Sequence, residues 1–279
     1  MNKGEYKIIL TDDGSASLYS GEYDETMHTT DGAFSEAVVK HVLPSRIIEK
    51  PGMDISVLDV GMGLGYNALA LMQRFCEQNT SASLSIVSLE KDFSFLPLMD
   101  TVTFQDASFQ SLYTIVKKAA AEGTASFNRI TLHVIRGDAR NSIVSLKGTT
   151  FDAVFQDPYS PSKNPELWSV DYFKSLYHLC SDDCILTTYS SAPHVRRALM
   201  EAGFTVGKGP GMGMKREGTT ASKSGRIEKL KDDEINAILT NPKSIPYRDE
   251  GLNGTRDDLR ERRSGEIREL KAKTGRQVR

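Results

Sequence analysis

Between residues 54 and 189, five short apolar runs alternate with stretches whose apolar residues recur at helical spacing, and few folds accommodate that alternation. The runs at 55–60, 84–89, 130–135, 151–155 and 184–189 are of strand length. The stretches at 67–75, 108–122 and 166–180 are amphipathic helices. Strands separated by helices pair in parallel through right-handed crossovers, with both sheet faces covered. The expected fold is therefore α/β, a doubly wound and mostly parallel sheet. A helix at 194–202 stops at Gly203. A short strand at 204–206, a glycine-rich turn at 207–213 and residues 214–217 then predict an antiparallel hairpin at the sheet edge. Residues 1–50 form an N-terminal extension, 51–217 the core, and 218–279 a charged tail. From Gly225 to Arg279 the tail carries 14 basic and 11 acidic residues with few apolar ones, which suits either a mobile tail or a solvated helix over Arg256 to Lys273.

The first run ends in DVGMGLG, with Asp59 ahead of Gly61, Gly63 and Gly65. Glycines between a first strand and a first helix let a bound nucleotide approach the backbone, where any Cβ would collide with it. The third glycine comes one residue earlier than in a dinucleotide fingerprint. Asp59 would repel a pyrophosphate and attract an ammonium or sulfonium, which favours S-adenosyl-L-methionine over NAD. Glu90 ends the second run, placed to accept ribose hydroxyls. Asp138, followed by Ala139, follows the third and is placed to accept from an adenine amino group. Each acid taken singly also suits a cap or a solvated carboxylate. Three in strand order after a glycine turn outline a cofactor crevice at the carboxyl ends of the strands.

Asp157, Pro158 and Tyr159 follow the fourth run and resemble the [DN]-P-P-[YF] element of methyltransferases that modify amino nitrogens. A nitrogen nucleophile needs its lone pair aimed at the methyl carbon while acceptors hold its N–H groups. A carboxylate and a carbonyl do that, and an aromatic face supports a developing cation. A primary alkylamine is protonated at neutral pH, so Asp157 is also placed to take that proton. The same residues suit a proline-stiffened turn with an aspartate cap.

Three stretches resemble the methyltransferase domain of MnmC-type tRNA-modifying enzymes. LTDDGSASLYS at 10–20, followed by Met27-His28 and Asp31-Gly32-Ala33, is similar to that family's opening. SPSKNPELW at 160–168 is similar to its A-P-x-K-N-P-x-M-W. TYSSA at 188–192, with later segments through IPYRD at 245–249, continues the match. The resemblance implies methylation of an aminomethyl group on the wobble uridine in a tRNA anticodon loop, with S-adenosyl-L-methionine as cofactor. It places Tyr19 and His28 at the cofactor and substrate mouth and extends the glycine turn to Asn67. Lys163 and Asn164 would position the loop or touch phosphate, or equally cap the helix that follows. Arg196, Arg197, Lys215 and Arg216 would contact phosphate, although exposed helix charges look the same in a sequence. Asp157-Pro158-Tyr159 stands where the family has D-G-F, and Met27 where it has tyrosine. No second glycine fingerprint allows for an FAD-dependent oxidase domain, so a stand-alone methyltransferase is expected. Trp168, the only tryptophan, reads as a core anchor rather than a base-stacking platform.

A net charge of −2 gives the whole molecule no nucleic-acid signature, so any RNA must be held by a local patch. Cys76, Cys180 and Cys184 make no zinc cluster, and the five histidines are scattered, so no metal is expected. No secretory leader or membrane-length apolar run occurs, which suits a reducing cytoplasm. Two other functions remain open from the residues. An aminopropyltransferase shares the fold, though it would want further acids after the fourth strand. A non-catalytic binding module would tolerate loss of the acids that are present here.

Overall fold

The computed structural model describes residues 6–29, 32–50, 52–78, 81–212 and 217–274. Three short strands, β1 (Tyr6–Leu10), β2 (Ala16–Ser20) and β3 (Glu25–Thr26), form a small antiparallel sheet in that order. Helix α1 (Ala33–Ala37) runs into a π-helical turn at Val38–Val42. The main domain then alternates β4 (Ile55–Val60), α2 (Tyr66–Cys76), β5 (Leu84–Glu90), α3 (Ala107–Glu122), β6 (Thr124–Phe127), β7 (Ile130–Arg136), α4 (Ala139–Ser145), β8 (Phe151–Gln156), α5 (Val170–Leu179), β9 (Cys180–Thr188), α6 (Pro193–Glu201), β10 (Thr205–Gly209) and β11 (Gly218–Ser222). Helices α7 (Asp232–Thr240) and α8 (Arg256–Thr274) follow.

The second sheet has eight strands in the order β10-β11-β9-β8-β4-β5-β7-β6. The five apolar runs form its parallel centre, from β9 through β8, β4 and β5 to β7. Antiparallel pairs close both edges, β6 on β7 at one and β10–β11 on β9 at the other. Strand order reverses at β4, which lies between β5 and β8, and the carboxyl ends there open the crevice where such sheets bind ligands.

Side-chain alternation explains why these runs are apolar throughout. Ile55 and Val57 of β4 pack under α2 and α3 with Leu69, Tyr113 and Val116, while Leu58 and Val60 pack on the opposite face with Ile143, Phe173 and Leu199. The period of two puts Asp59 on the α2 side, fully buried. Asp106 caps α3 by accepting from the Ser108 and Phe109 amides, and Gly123 ends it at φ 88°. Ser169 caps α5 in the same way.

Two expectations about the C-terminal part are corrected. Residues 214–216 of the expected second hairpin strand lie outside the described residues; a strand at Gly218–Ser222 inserts between β9 and β10 with all five residues buried. Its residues are small because the strands are close: a Cβ on Gly218 would lie 2.5 Å from the Thr188 carbonyl oxygen. A boundary at 217/218 would therefore cut through the sheet. Nor is the segment beyond it a mobile tail: the helix the sequence allowed at 256–273 forms as α8, and the segment docks. Arg263 hydrogen-bonds the Ile245 and Lys243 carbonyls and lies over the Tyr247 ring, and Leu259 is buried. Arg140 of α4 reaches Asp249 and the Gly254 carbonyl. The segment docks through arginines and an aromatic ring, which leave no apolar periodicity in the sequence. Among the described residues, no helix is long and apolar enough to cross a membrane.

Candidate active site

The glycine turn is built by close approaches. Gly61 has φ 85°, and a Cβ there would lie 2.7 Å from the Asp157 carbonyl oxygen. Only glycine lets the turns after β4 and β8 meet at that distance. Gly65, at φ 82°, precedes α2, and a Cβ on it would strike Val116 of α3 at 2.4 Å. Gly61 and Gly63 line a cleft at the carboxyl ends of β4, β5 and β8, whereas Gly65 serves helix packing away from it. The cleft holds about 830 Å³ of non-atom space, part of it open to solvent.

Glu90, Asp138, Ala139, Asp157, Pro158 and Tyr159 converge on this cleft from three strand ends. Glu90 accepts from the Gly63 amide at 3.0 Å and from the Lys91 and Asp92 amides at 2.7 and 2.9 Å. Burial raises its carboxyl above the usual range despite these donors. Asp138 caps α4 and is gripped by Arg140 through Nε at 3.1 Å and Nη2 at 2.9 Å. Burial opposes its ionisation, but the Arg140 contacts prevail and lower it.

Asp59 behaves differently from its expected role. It is 0% exposed and does not line the cleft. Ser88 donates to it at 2.8 Å and Asn67 Nδ2 at 3.2 Å, and burial pushes its carboxyl up to about 6. Asn67, also buried, donates to Asp157 Oδ2 at 2.9 Å. Neither Asp59 nor Asn67 lines the cleft: the alternation of β4 turns Asp59 toward α2, and Asn67 bridges it to Asp157.

Asp157 receives a second partner that the sequence did not suggest. His41 Nε2 is 3.5 Å from its Oδ1. Burial would raise the Asp157 carboxyl, but the His41 charge and hydrogen bond, with His28 and Asn67, bring it below the usual range. The Pro158 carbonyl accepts from the Tyr189 hydroxyl at 2.9 Å. Tyr159 stacks on Tyr23 at 4.0 Å and 13°, and the Arg256 guanidinium covers Tyr23 at 4.2 Å while pairing with Glu22 and Glu166. The Ser160 amide donates to Glu25, Lys163 pairs with Asp24, and Asn164, lining the cleft, donates to Glu166. Trp168 is fully buried and donates to the Tyr159 carbonyl, a core anchor beneath the loop.

His28 lines the cleft, with Nδ1 at 3.1 Å from Ser17 Oγ. Tyr19 does not; its hydroxyl donates to Asp24 at 2.6 Å, and Tyr23 and Tyr6 contribute the aromatic wall instead. The expected phosphate-contacting set is corrected too. Arg196 is 7% exposed and bonds Glu217, Thr219 Oγ1 and the Gly218 carbonyl, pinning β11 to α6. Arg197 pairs with Glu201 and reaches the Leu239 carbonyl. Arg196 is taken up by partners distant in sequence and Arg197 chiefly by Glu201, four residues on in the same helix. Lys215 and Arg216 lie outside the described residues. No group of histidines, cysteines and acids suited to a metal occurs among the described residues.

A family model of S-adenosyl-L-methionine-dependent methyltransferases matches residues 103–224. The chain is 30% identical over 276 residues to an uncharacterized protein of Methanocaldococcus jannaschii, covering 97% of this chain and 75% of that one. It is 31% identical over 218 residues to the tRNA 5-methylaminomethyl-2-thiouridine biosynthesis bifunctional protein MnmC of Ralstonia nicotianae, covering 73% of this chain and 32% of that protein. It thus spans about a third of the bifunctional relative. The crystal structure of MnmC2 from Aquifex aeolicus superposes with a TM-score of 0.86 at 30% identity, over 96% of this chain and 87% of that one.

Proposed function

This chain belongs to the MnmC-type S-adenosyl-L-methionine-dependent methyltransferases, and on that premise we propose that it N-methylates the aminomethyl group on a tRNA wobble uridine. The observation that carries the proposal is the placement of Asp157, which lines the cleft where the turns after β4 and β8 meet. The cleft fits the cofactor in its donors and acceptors: Gly61, Gly63, Glu90, Asp138 and Ala139 line one space. These residues would hold it.

Held by these residues, S-adenosyl-L-methionine would supply an electrophilic sulfonium methyl group to an amine lone pair. The chain's own residues prepare that lone pair. The ionised Asp157 carboxylate accepts one N–H of the arriving alkylammonium, a second proton leaves to solvent through the cleft mouth, and the freed pair stays on nitrogen. Asn67 and His41 fix the carboxylate at its two oxygens, so the hydrogen-bond acceptor does not reorganise during the step. The stacked Tyr159 offers an aromatic wall to the developing cation. A wobble base in a single-stranded loop leaves its stack at modest cost, which suits a recessed cleft. Lys163, beside Asn164 at the cleft, is the expected basic residue best placed for a backbone phosphate.

The test is Asp157→Ala. Calorimetry should find cofactor affinity retained, while methyl transfer to tRNA falls by roughly 10²–10⁴-fold. Wild-type turnover in that variant would remove Asp157 from the chemistry.

A further inference from the structure

His41 lies in the π-helical turn at Val38–Val42 and is 1% exposed, 116 positions before Asp157 in the chain. Each ring nitrogen faces one partner. Nδ1 is 3.0 Å from Thr187 Oγ1 on β9, and Nε2 is 3.5 Å from Asp157 Oδ1 at the end of β8. The Phe155 ring lies against the imidazole at 5.4 Å between centroids.

Proton placement follows from this geometry. An ionised carboxylate only accepts, so the nitrogen facing Asp157 must carry hydrogen. The Thr187 hydroxyl then either donates to a bare Nδ1 or accepts from a protonated one, and satisfies the ring in both states. Asn67 takes the second carboxylate oxygen from the opposite side. Asp157 is thus gripped at both oxygens, yet 18% of its side chain stays exposed. Other charged groups nearby are Asp59 behind Asn67 and His28 at the cleft. Lys40, on the same turn as His41, sends its Nζ to the Pro210 carbonyl at 2.7 Å.

The geometry points to His41 as a positioning residue for methyl transfer: oriented by Thr187, its Nε2–H holds the ionised Asp157 carboxylate turned into the cleft as the hydrogen-bond acceptor for the substrate amine's N–H. This rests on the amine-methylating role proposed above. His41 does not touch the substrate and needs no cofactor to hold its place. In that respect it acts on Asp157 as an orienting acid acts on a catalytic histidine, with the two residue types exchanged.

The experiment uses the full chain and two readouts. Ring-nitrogen NMR of ¹⁵N-histidine-labelled protein should find His41 Nε2 protonated. The ¹³C carboxyl signal of Asp157 should titrate at higher pH in His41→Phe than in the wild type. In transfer assays His41→Phe should lose roughly a hundredfold in kcat, as misplacement of a reacting group costs. The acid limb of its pH profile should move upward, with KM for tRNA unchanged. His41→Gln, whose amide can still donate toward Asp157, should recover most of the loss. If His41→Phe does not fold, Thr187→Val keeps the imidazole and removes only its orienting hydroxyl. That variant should lower kcat and alter the ring-nitrogen spectrum. A bare Nε2 in the wild type overturns the assignment, as does a folded His41→Phe with unchanged Asp157 titration and kcat. The titration needs no substrate, so failure of the wild type on aminomethyl uridine would count against the proposed substrate and leave the His41 result standing.

Discussion

Asn67, one residue into α2, donates its side-chain amide to Asp157 Oδ2 at 2.9 Å and so ties the helix after the glycine turn to the loop after β8. The same nitrogen lies 3.2 Å from Asp59 Oδ1. Asn67→Leu would keep the volume and leave both carboxylates short of a donor. Unfolding in urea should show a loss of about 1.5–3 kcal/mol, as for hydrogen bonds to charged groups. An unchanged midpoint would mean the contact carries no free energy.

Asp59 makes stability depend on pH in an unusual direction. Its folded value, pushed up to about 6, exceeds the ordinary 3.8. Its contribution is therefore full below pH ~4 and lost as pH rises through ~6, on the order of 2–3 kcal/mol in total. Asp59→Asn lacks that loss and can keep one bond each to Asn67 and Ser88. Its stability relative to the wild type should climb between those limits. The lowered Asp138 and Asp157 weaken both proteins alike in acid and largely cancel in the comparison. A difference that falls with pH would contradict the burial argument.

Gly61→Ala and Gly14→Ala separate backbone strain from collision. Both glycines have positive φ, but a Cβ on Gly14 meets nothing within 4 Å, while one on Gly61 lies 2.7 Å from the Asp157 carbonyl oxygen. Gly14→Ala should cost about 1 kcal/mol from φ alone. Gly61→Ala should cost more and also weaken cofactor binding in calorimetry. Equal losses with normal binding would show that the turns after β4 and β8 can move apart.

Arg256 links the C-terminal helix to the cleft through Tyr23. Arg256→Ala removes a guanidinium half-buried between Glu22, Glu166 and the Tyr23 ring. Stability should drop by about 1 kcal/mol. Transfer should slow while cofactor affinity holds, because Tyr159 loses the support behind Tyr23. Unchanged kinetics would confine α8 to a scaffolding role.

The parallel core, the glycine turn and the strand-end acids were legible because each depends on local sequence: a period of two, positive φ and a carboxylate at a strand's end. What escaped notice depends on distant partners. Nothing near Lys40-His41 announces Asp157, and nothing in Arg256 announces Tyr23. GTTAS at 218–222 reads as polar, yet its small residues are what a strand squeezed between β9 and β10 requires. Arg196 resembles an exposed cation in sequence because Glu217, which pairs with it, comes later in the chain, whereas Glu201, four residues after Arg197 on one helix, is a partner the spacing allows. Asp59 was legible as an acid beside the glycines, but its direction was not, since that follows from strand parity under α2.

The central claim is tested most directly by transfer of a labelled methyl group from S-adenosyl-L-methionine to tRNA carrying an unmethylated aminomethyl wobble uridine, followed by nucleoside analysis. The proposed function predicts label in the methylaminomethyl nucleoside and in no other. Cofactor binding without label in that nucleoside would contradict the assigned substrate, leaving a methyltransferase whose amine lies elsewhere.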